Sequence, residues 1–196
     1  MEILKIDFDE DKHIYRLDGI VYPSVTQIMK PLSSEKYGSV PTSILQAAAY
    51  RGSVVHESIE NYIKYDFSDC PNECRGYFEG FTRFVEKYKP EFVDSEMRIY
   101  HKTMMYAGTL DLLCVIEDKK YIVDYKTTYS INDDLCRVQL EAYVQGLKSH
   151  GVDVDGKMIL HLKNDGSTDT REYPNEDAAA WRVFCALKTV YDYMHI

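Results

Sequence analysis

The feature that most constrains this chain is a pair of apolar segments, Gly108–Ile116 and Tyr121–Thr128, joined by the polar stretch Glu117-Asp-Lys-Lys120. Both are rich in residues that suit a pleated, buried surface, and a short polar connection between them predicts an antiparallel β-hairpin. Folding the ribbon at a four-residue turn sets position 111 opposite 126 and position 113 opposite 124. Side chains alternate along a strand with period two. Asp111, Asp124 and Lys126 then share one face, while Tyr121, Val123 and Tyr125 point the other way, into the core.

Two carboxylates and an ammonium among apolar strands need partners, because charge is expensive to remove from water unless it is paired or bound to a cation. Carboxylate oxygens suit a hard divalent ion such as Mg²⁺. A protonated lysine does not ligate, but it can orient a water or stabilise charge developing on a phosphate. Together these parts suit metal-assisted phosphodiester hydrolysis. Alone, Asp124-x-Lys126 reads more simply as a salt bridge on a solvated face. The order Gly-Thr-x-Asp, turn, Asp-x-Lys-Thr is far more specific.

The rest of the chain supplies a frame for the hairpin. Residues 1–22 alternate in a strand-like way, with a hairpin signal at Asp18-Gly19. A short helix is expected from Ser24 to about Pro31, and 33–41 reads as loop. From Thr42 a long helix is predicted, capped by Thr42 or Ser43, with Ile44, Leu45, Ala48, Gly52, Val55, Ile59 and Ile63 as its apolar stripe. A second helix covers about 73–89, ending at Pro90, and a strand covers about 92–101. After the hairpin come a helix over about 132–150, strands at 157–163 and 170–173, and a last helix over about 175–194. This order predicts an α/β fold: one domain over 1–196, a mixed β-sheet flanked by helices, with 1–41 as an N-terminal hairpin and loop region and 42–196 as helices and catalytic core.

Composition limits the function classes. The formal net charge of −9 argues against broad, salt-driven coating of nucleic acid, though not against a local basic groove. Five cysteines at irregular spacing suggest no disulfide framework and no zinc site; Cys114 and Cys185 read as buried thiols. No stretch approaches the roughly 18 apolar residues of a membrane span, and the first residues lack the layout of a signal peptide. A cytoplasmic protein without a membrane partner is the expectation.

The hairpin resembles motifs II and III of the PD-(D/E)xK nucleases, particularly their RecB-like branch, which includes phage exonucleases and the mitochondrial genome maintenance exonuclease. The resemblance runs over about 52–143. Arg51-Gly-Ser-Val-Val-His56 resembles the branch's G-x-x-x-H motif, and Gln139-Leu-Glu-Ala-Tyr143 its Q-x-x-x-Y motif. The resemblance implies a restriction-endonuclease-like core and a Mg²⁺- or Mn²⁺-dependent deoxyribonuclease. It implies Asp111, Asp124 and Lys126 as the catalytic set, and His56, Asp111, Asp124 and the Tyr125 backbone carbonyl as metal ligands, with Glu96 as a further acid. An imidazole ligand would favour Mn²⁺.

Gln139, Tyr143, Thr127, Thr128 and Arg51 become candidates for DNA contacts, with Lys36, Lys102 and Lys148 as further cations. Physically, Gly52, His56 and Glu60 share one helix face, so a His56–Glu60 surface pair is the plain alternative. A glycine one turn before the histidine would allow close approach of another backbone or of substrate. Tyr143 reads either as a base-stacking ring or as a core tyrosine beside an exposed glutamine. The expected activity is exonucleolytic, on single-stranded DNA ends, leaving 5′-phosphates, with recombination or replication proteins as partners. A catalytically silent nucleic-acid-binding or adaptor protein is the alternative. Cys70 and Cys74 lack the further cysteines of relatives with clusters, so no iron–sulfur cluster is expected.

Overall fold

The chain's longest alternating segments form the centre of the molecule. The computed structural model describes residues 6–10, 12–67 and 69–195; the expected alternation at Ile3–Lys5 lies outside them. Strands β1 (Asp7–Asp9), β2 (Ile14–Leu17) and β3 (Ile20–Tyr22) form a small antiparallel sheet. Asp18 and Gly19 turn β2 into β3, both with positive φ (51° and 81°), as a tight hairpin requires. Helix α1 (Val25–Ile28) starts at Ser24, whose hydroxyl accepts from the Gln27 backbone N–H while the Gln27 side chain accepts from the Ser24 N–H.

Two expectations for the next segment fail. Residues 33–41 are not all loop, since helix α2 spans Lys30–Tyr37, with Pro31 in its first turn. Proline is well suited there because the first turn's N–H groups have no intrahelical partner. Helix α3 (Thr42–Tyr65) is capped by Pro41 rather than by a Thr42 or Ser43 side chain. Its expected apolar stripe is buried only in its second half, around Val55 and Ile59, whereas Ile44 and Leu45 are exposed. Helix α4 (Arg75–Tyr88) follows and ends at Lys89, in the left-handed conformation, just before Pro90.

The main sheet has the order β4 (Glu91–Tyr100), β5 (Ala107–Ile116), β6 (Lys119–Lys126), β7 (Gly156–Leu162), β8 (Thr168–Tyr173). The first three strands form an antiparallel meander. β7 runs parallel to β6, reached through helix α5 (Asp133–Lys148), and β8 returns antiparallel. Helix α6 (Ala178–Met194) closes the chain, capped by Asp177.

Alternation along the strands feeds two cores. One face packs Leu112, Cys114, Val123, Tyr125 and Leu160 against Val55 and Ile59 of α3 and Phe81 and Phe84 of α4. The other packs Leu113, Ile122 and Ile159 against α1, α5 and α6. The protein is thus an α/β domain with a mixed five-stranded sheet between two layers of helices. All five cysteines are free; Cys114 is buried as expected, but Cys185 is only half-buried. Among the described residues no helix is long and apolar enough to cross a membrane.

Candidate metal and hydrolytic site

The turn of the central hairpin sets the site's register. It is two residues long, Glu117-Asp118, both with positive φ (49° and 61°), rather than the four expected. Pairing then runs from Ile116↔Lys119 to Leu112↔Val123. The next position places Asp111 across from Asp124, not from Lys126. The error is two residues, which preserves side-chain parity; a slip of one would have reversed every face. On the other side, the pairs Ser95↔Leu112 and Met97↔Leu110 bracket Glu96 across from Asp111. Three carboxyl groups, Glu96, Asp111 and Asp124, therefore stand in one row across three adjacent strands.

Strict alternation breaks at that row. Leu110 and Leu113 both join the α5-side core, while Leu112 and Cys114 join the α3-side core. The backbone pairs of β5 with β6 stop at Leu112, and the Tyr125 N–H donates to Asp111 Oδ2 at 2.6 Å. The aspartate thus turns into the gap where the strands part, rather than standing on one face. Glu96 has φ of 51°, unusual for a residue without a glycine's freedom. Such a left-handed residue inside a strand is a local distortion of the kind that clusters at functional sites.

Helix α3 brings the imidazole. His56 Nδ1 lies 3.4 Å from Glu96 Oε1 and 3.5 Å from Asp111 Oδ1. The alternative pairing with Glu60 is not formed, because Glu60 contacts Lys64. The His56 ring also meets the Tyr125 ring edge-on, with centroids 5.4 Å apart. Gly52, one turn earlier, is not required by space: a Cβ there would meet Thr127 Oγ1 at an ordinary 3.8 Å. The glycine that matters is Gly108, where a Cβ would come within 2.8 Å of the Tyr143 ring. It is the glycine of the Gly-Thr-x-Asp motif, and a glycine inside a strand often means close approach.

Lys126 closes the other end. Its ammonium lies 2.5 Å from Asp124 Oδ2 and donates to Gln139 Oε1 at 3.0 Å. Gln139 in turn donates through Nε2 to the Tyr143 hydroxyl at 3.1 Å. Tyr143 is only 4% exposed, so it offers no ring face to a base and instead positions Gln139. Arg51 donates to the Thr127 carbonyl at 3.2 Å and lies over the Tyr77 ring. Thr127 is buried, and the exposed Thr128 donates its hydroxyl to the Ser130 carbonyl. Lys36 lies beside Glu35, and Lys148 contacts Glu176.

The electrostatics follow from crowding. Burial alone would lower the His56 pKa, but Asp111 and Glu96 outweigh it and push it up to about 10. Burial would raise Asp111, yet His56, Lys126 and the Tyr125 N–H keep it below the usual range. Burial and Asp111 raise Asp124 to about 6 against the pull of Lys126. Burial likewise raises Glu96. Lys126 would be lowered by burial, but Asp124 and Asp111 hold it above its ordinary value.

The donor set fits a divalent cation. Ligand atoms of His56, Glu96 and Asp111 lie within 4.8 Å of one another, a spacing that admits one ion between them. One buried carboxylate oxygen, Glu96 Oε1, has no hydrogen-bond partner and faces only His56 Nδ1 at 3.4 Å. Buried polar atoms are rarely left so unless something else binds there. Glu96 stands beside His56 and Asp111 in this trio, and Asp124, paired with Lys126, adjoins them.

No protein-family model matches the chain, and no curated protein matches it. A similar solved structure is described as "Crystal structure of SSO0001"; it is 14% identical, has a TM-score of 0.46, and aligns over 87% of this chain and 74% of that one.

Proposed function

We propose that this chain is a metal-dependent nuclease of the PD-(D/E)xK type, acting on single-stranded DNA ends and leaving 5′-phosphates. One observation carries the reading: the row of Glu96, Asp111 and Asp124 is bracketed by His56 and Lys126 at the point where two strands part. A purely structural cluster would hydrogen-bond its buried oxygens internally, and this one leaves Glu96 Oε1 without a hydrogen bond.

A bound Mg²⁺ or Mn²⁺ would polarise the scissile phosphate and lower the pKa of water. His56, Glu96 and Asp111 would hold it, with Asp124 adjoining. The residues' own contributions are distinct. The Tyr125 N–H fixes the Asp111 carboxylate by one oxygen and leaves the other turned to His56. Lys126 stays protonated between Asp124 and Gln139, so it acts as a charge and hydrogen-bond donor toward phosphate, not as a base. Asp124, with its raised pKa, is the group suited to accept a proton from the attacking water. Gln139, steadied by Tyr143, sets the position of the Lys126 ammonium.

The test is direct. End-labelled single- and double-stranded DNA, and RNA, are incubated with wild-type protein in Mn²⁺, in EDTA, and with Lys126→Ala. Degradation of single-stranded DNA in Mn²⁺, lost in both controls, is the expected result. Folded protein that degrades no nucleic acid in either metal would overturn the reading and leave a silent adaptor.

A further inference from the structure

Two cavities flank the acid row, and their charge differs. One, of about 770 Å³, is lined by five carboxylates, Glu96 and Glu60 among them, against Lys64 and Arg98. An excess of acid repels a phosphate chain. The other, of about 330 Å³, is bounded by α2, the first half of α3 and the start of α5. Tyr37, Leu45, Ile131 and Leu135 form much of its wall, and Lys126 and Gln139 form the side it shares with the site. Among the described residues lining it, Lys126 is the only charged one.

The elements around this cavity are unusual for helices. α2 buries none of its residues, and Ile44, Leu45 and Tyr50 in the first half of α3 are 58%, 40% and 69% exposed. Leu32 of α2 packs on the core, but Tyr37, Ile44, Leu45 and Tyr50 are exposed and stand outside it. Whatever fills the cavity has to be apolar and compact, and has to accept a neighbouring ammonium.

We propose that this cavity receives one unpaired nucleobase of a single strand, the base adjoining the phosphate that Lys126 faces. The proposal rests on the nuclease reading above, which it deepens by assigning the strand selectivity to a place. A nucleobase joins a flat apolar body to a phosphate on a short tether, matching an apolar wall that ends at an ammonium. Tyr37 provides a ring for stacking, which tolerates every base. A duplex keeps its bases paired and stacked, so it presents none to the cavity without unpairing.

Binding is measured without turnover, in Ca²⁺ and in EDTA. A short single strand carries one fluorescent adenine analogue, moved position by position. The expected result is quenching at one register and none in the duplex. An abasic residue at that register weakens binding about tenfold, the scale of one lost stacking contact. Tyr37→Ala reproduces the loss, Tyr37→Phe does not, and an abasic strand no longer distinguishes wild type from Tyr37→Ala. Tyr37 is partly exposed, so these variants keep the fold.

Equal quenching at all positions, or Tyr37→Ala and Leu135→Arg binding as wild type does, overturns the proposal. The same holds if an apolar dye or peptide occupies the cavity and single strands do not displace it. If DNA is hydrolysed in Mn²⁺ yet no register appears, the cavity assignment alone fails. If the register appears and nothing is hydrolysed, base binding stands and the nuclease reading alone fails.

Discussion

Two lysine–carboxylate pairs sit on neighbouring strands near the same helix, and they are built differently. Lys157 of β7 meets Glu141 of α5 with both side chains shielded from water, at 0% and 1% exposure. The Glu141 carboxylate also accepts from Gln145 and from the Asp177 N–H. Asp177 is gripped by Arg137 at 2.7 and 3.1 Å, and it caps α6. Every charge in that network has its partner. Lys126 of β6 also has a carboxylate and an α5 side chain beside it, but its own side chain is 24% exposed at the edge of a cavity, and Asp111 crowds Asp124 from the next strand. A closed pair ties the sheet to α5 and α6. An open one holds charge where a ligand can use it. Residue types alone do not separate the two; the lysine's access to solvent does.

The difference is sharpest in what each lysine's removal does. Lys126→Ala is expected to reduce turnover by about 10²–10³-fold or more, the scale of losing one donor to developing charge. The thermal midpoint should fall less than for a fully shielded pair, because the ammonium is 24% exposed beside a cavity where water can replace it and Asp124, its pKa already raised, can take up a proton. Single-turnover hydrolysis beside a melting curve checks both. Lys157→Ala should behave in the opposite way. It leaves Glu141 as a buried, uncompensated charge, and breaking a fully buried pair typically costs ~3–5 kcal/mol. Denaturant titration reads that loss, while activity per folded molecule stays near wild type. If the two variants destabilise the protein equally, the distinction between closed and open pairs is wrong.

The pH dependence is the next step down in size. Without metal, the His56 imidazolium stands between Asp111 and Glu96, and its folded pKa of about 10 lies above the ordinary 6.5. Its stabilising contribution is complete below pH 6.5 and is lost as pH rises through about 10. Asp124, raised to about 6 from 3.8, adds a loss of stability as pH rises across that lower window. In EDTA the melting temperature should therefore fall as pH rises toward 10, whereas at acid pH the lowered Asp111 and Asp177 oppose Asp124. A metal ion needs His56 neutral, so binding releases its proton. Mn²⁺ affinity should climb about tenfold per pH unit between roughly pH 7 and 9, and His56→Gln should flatten that slope. A pH-independent Mn²⁺ affinity in the wild type would remove His56 from the ligand set.

How far this site could be read from sequence depends on which physical rule governed each residue. Asp111, Asp124 and Lys126 were legible because a hairpin's parity survives a two-residue error in its turn. The departure of Asp111 from that alternation was not legible, since it follows from where two strands stop pairing. Glu96 could not be assigned a face by alternation, because its positive φ breaks the alternation. His56 was legible as a residue type but not as a partner: its acids come from strands 40 and 55 residues downstream (96 − 56 and 111 − 56). α2 was missed because Lys30–Tyr37 buries nothing and so shows no apolar period. The same lack of burial is what leaves its residues free to line the cavity beside Lys126.

The smallest effect concerns a residue that touches neither metal nor phosphate in this arrangement. Tyr143 is buried on α5, and its hydroxyl accepts from Gln139, whose carbonyl accepts from Lys126. Gly108 makes room for its ring, since a side chain there would collide with it. Tyr143→Phe keeps the ring and removes only the acceptor, which on the scale of one neutral hydrogen bond is about 1 kcal/mol. Gln139 is then free to turn, and the Lys126 ammonium loses its second restraint while keeping Asp124. Turnover is expected to fall about fivefold, with KM and melting temperature little changed. Gln139→Ala should give a similar or somewhat larger loss, and combining the two should add nothing beyond Gln139→Ala, because the tyrosine acts through the amide. Additive losses would mean that the Tyr143 hydroxyl meets the substrate itself, and the open pair would then include a third helix-borne group.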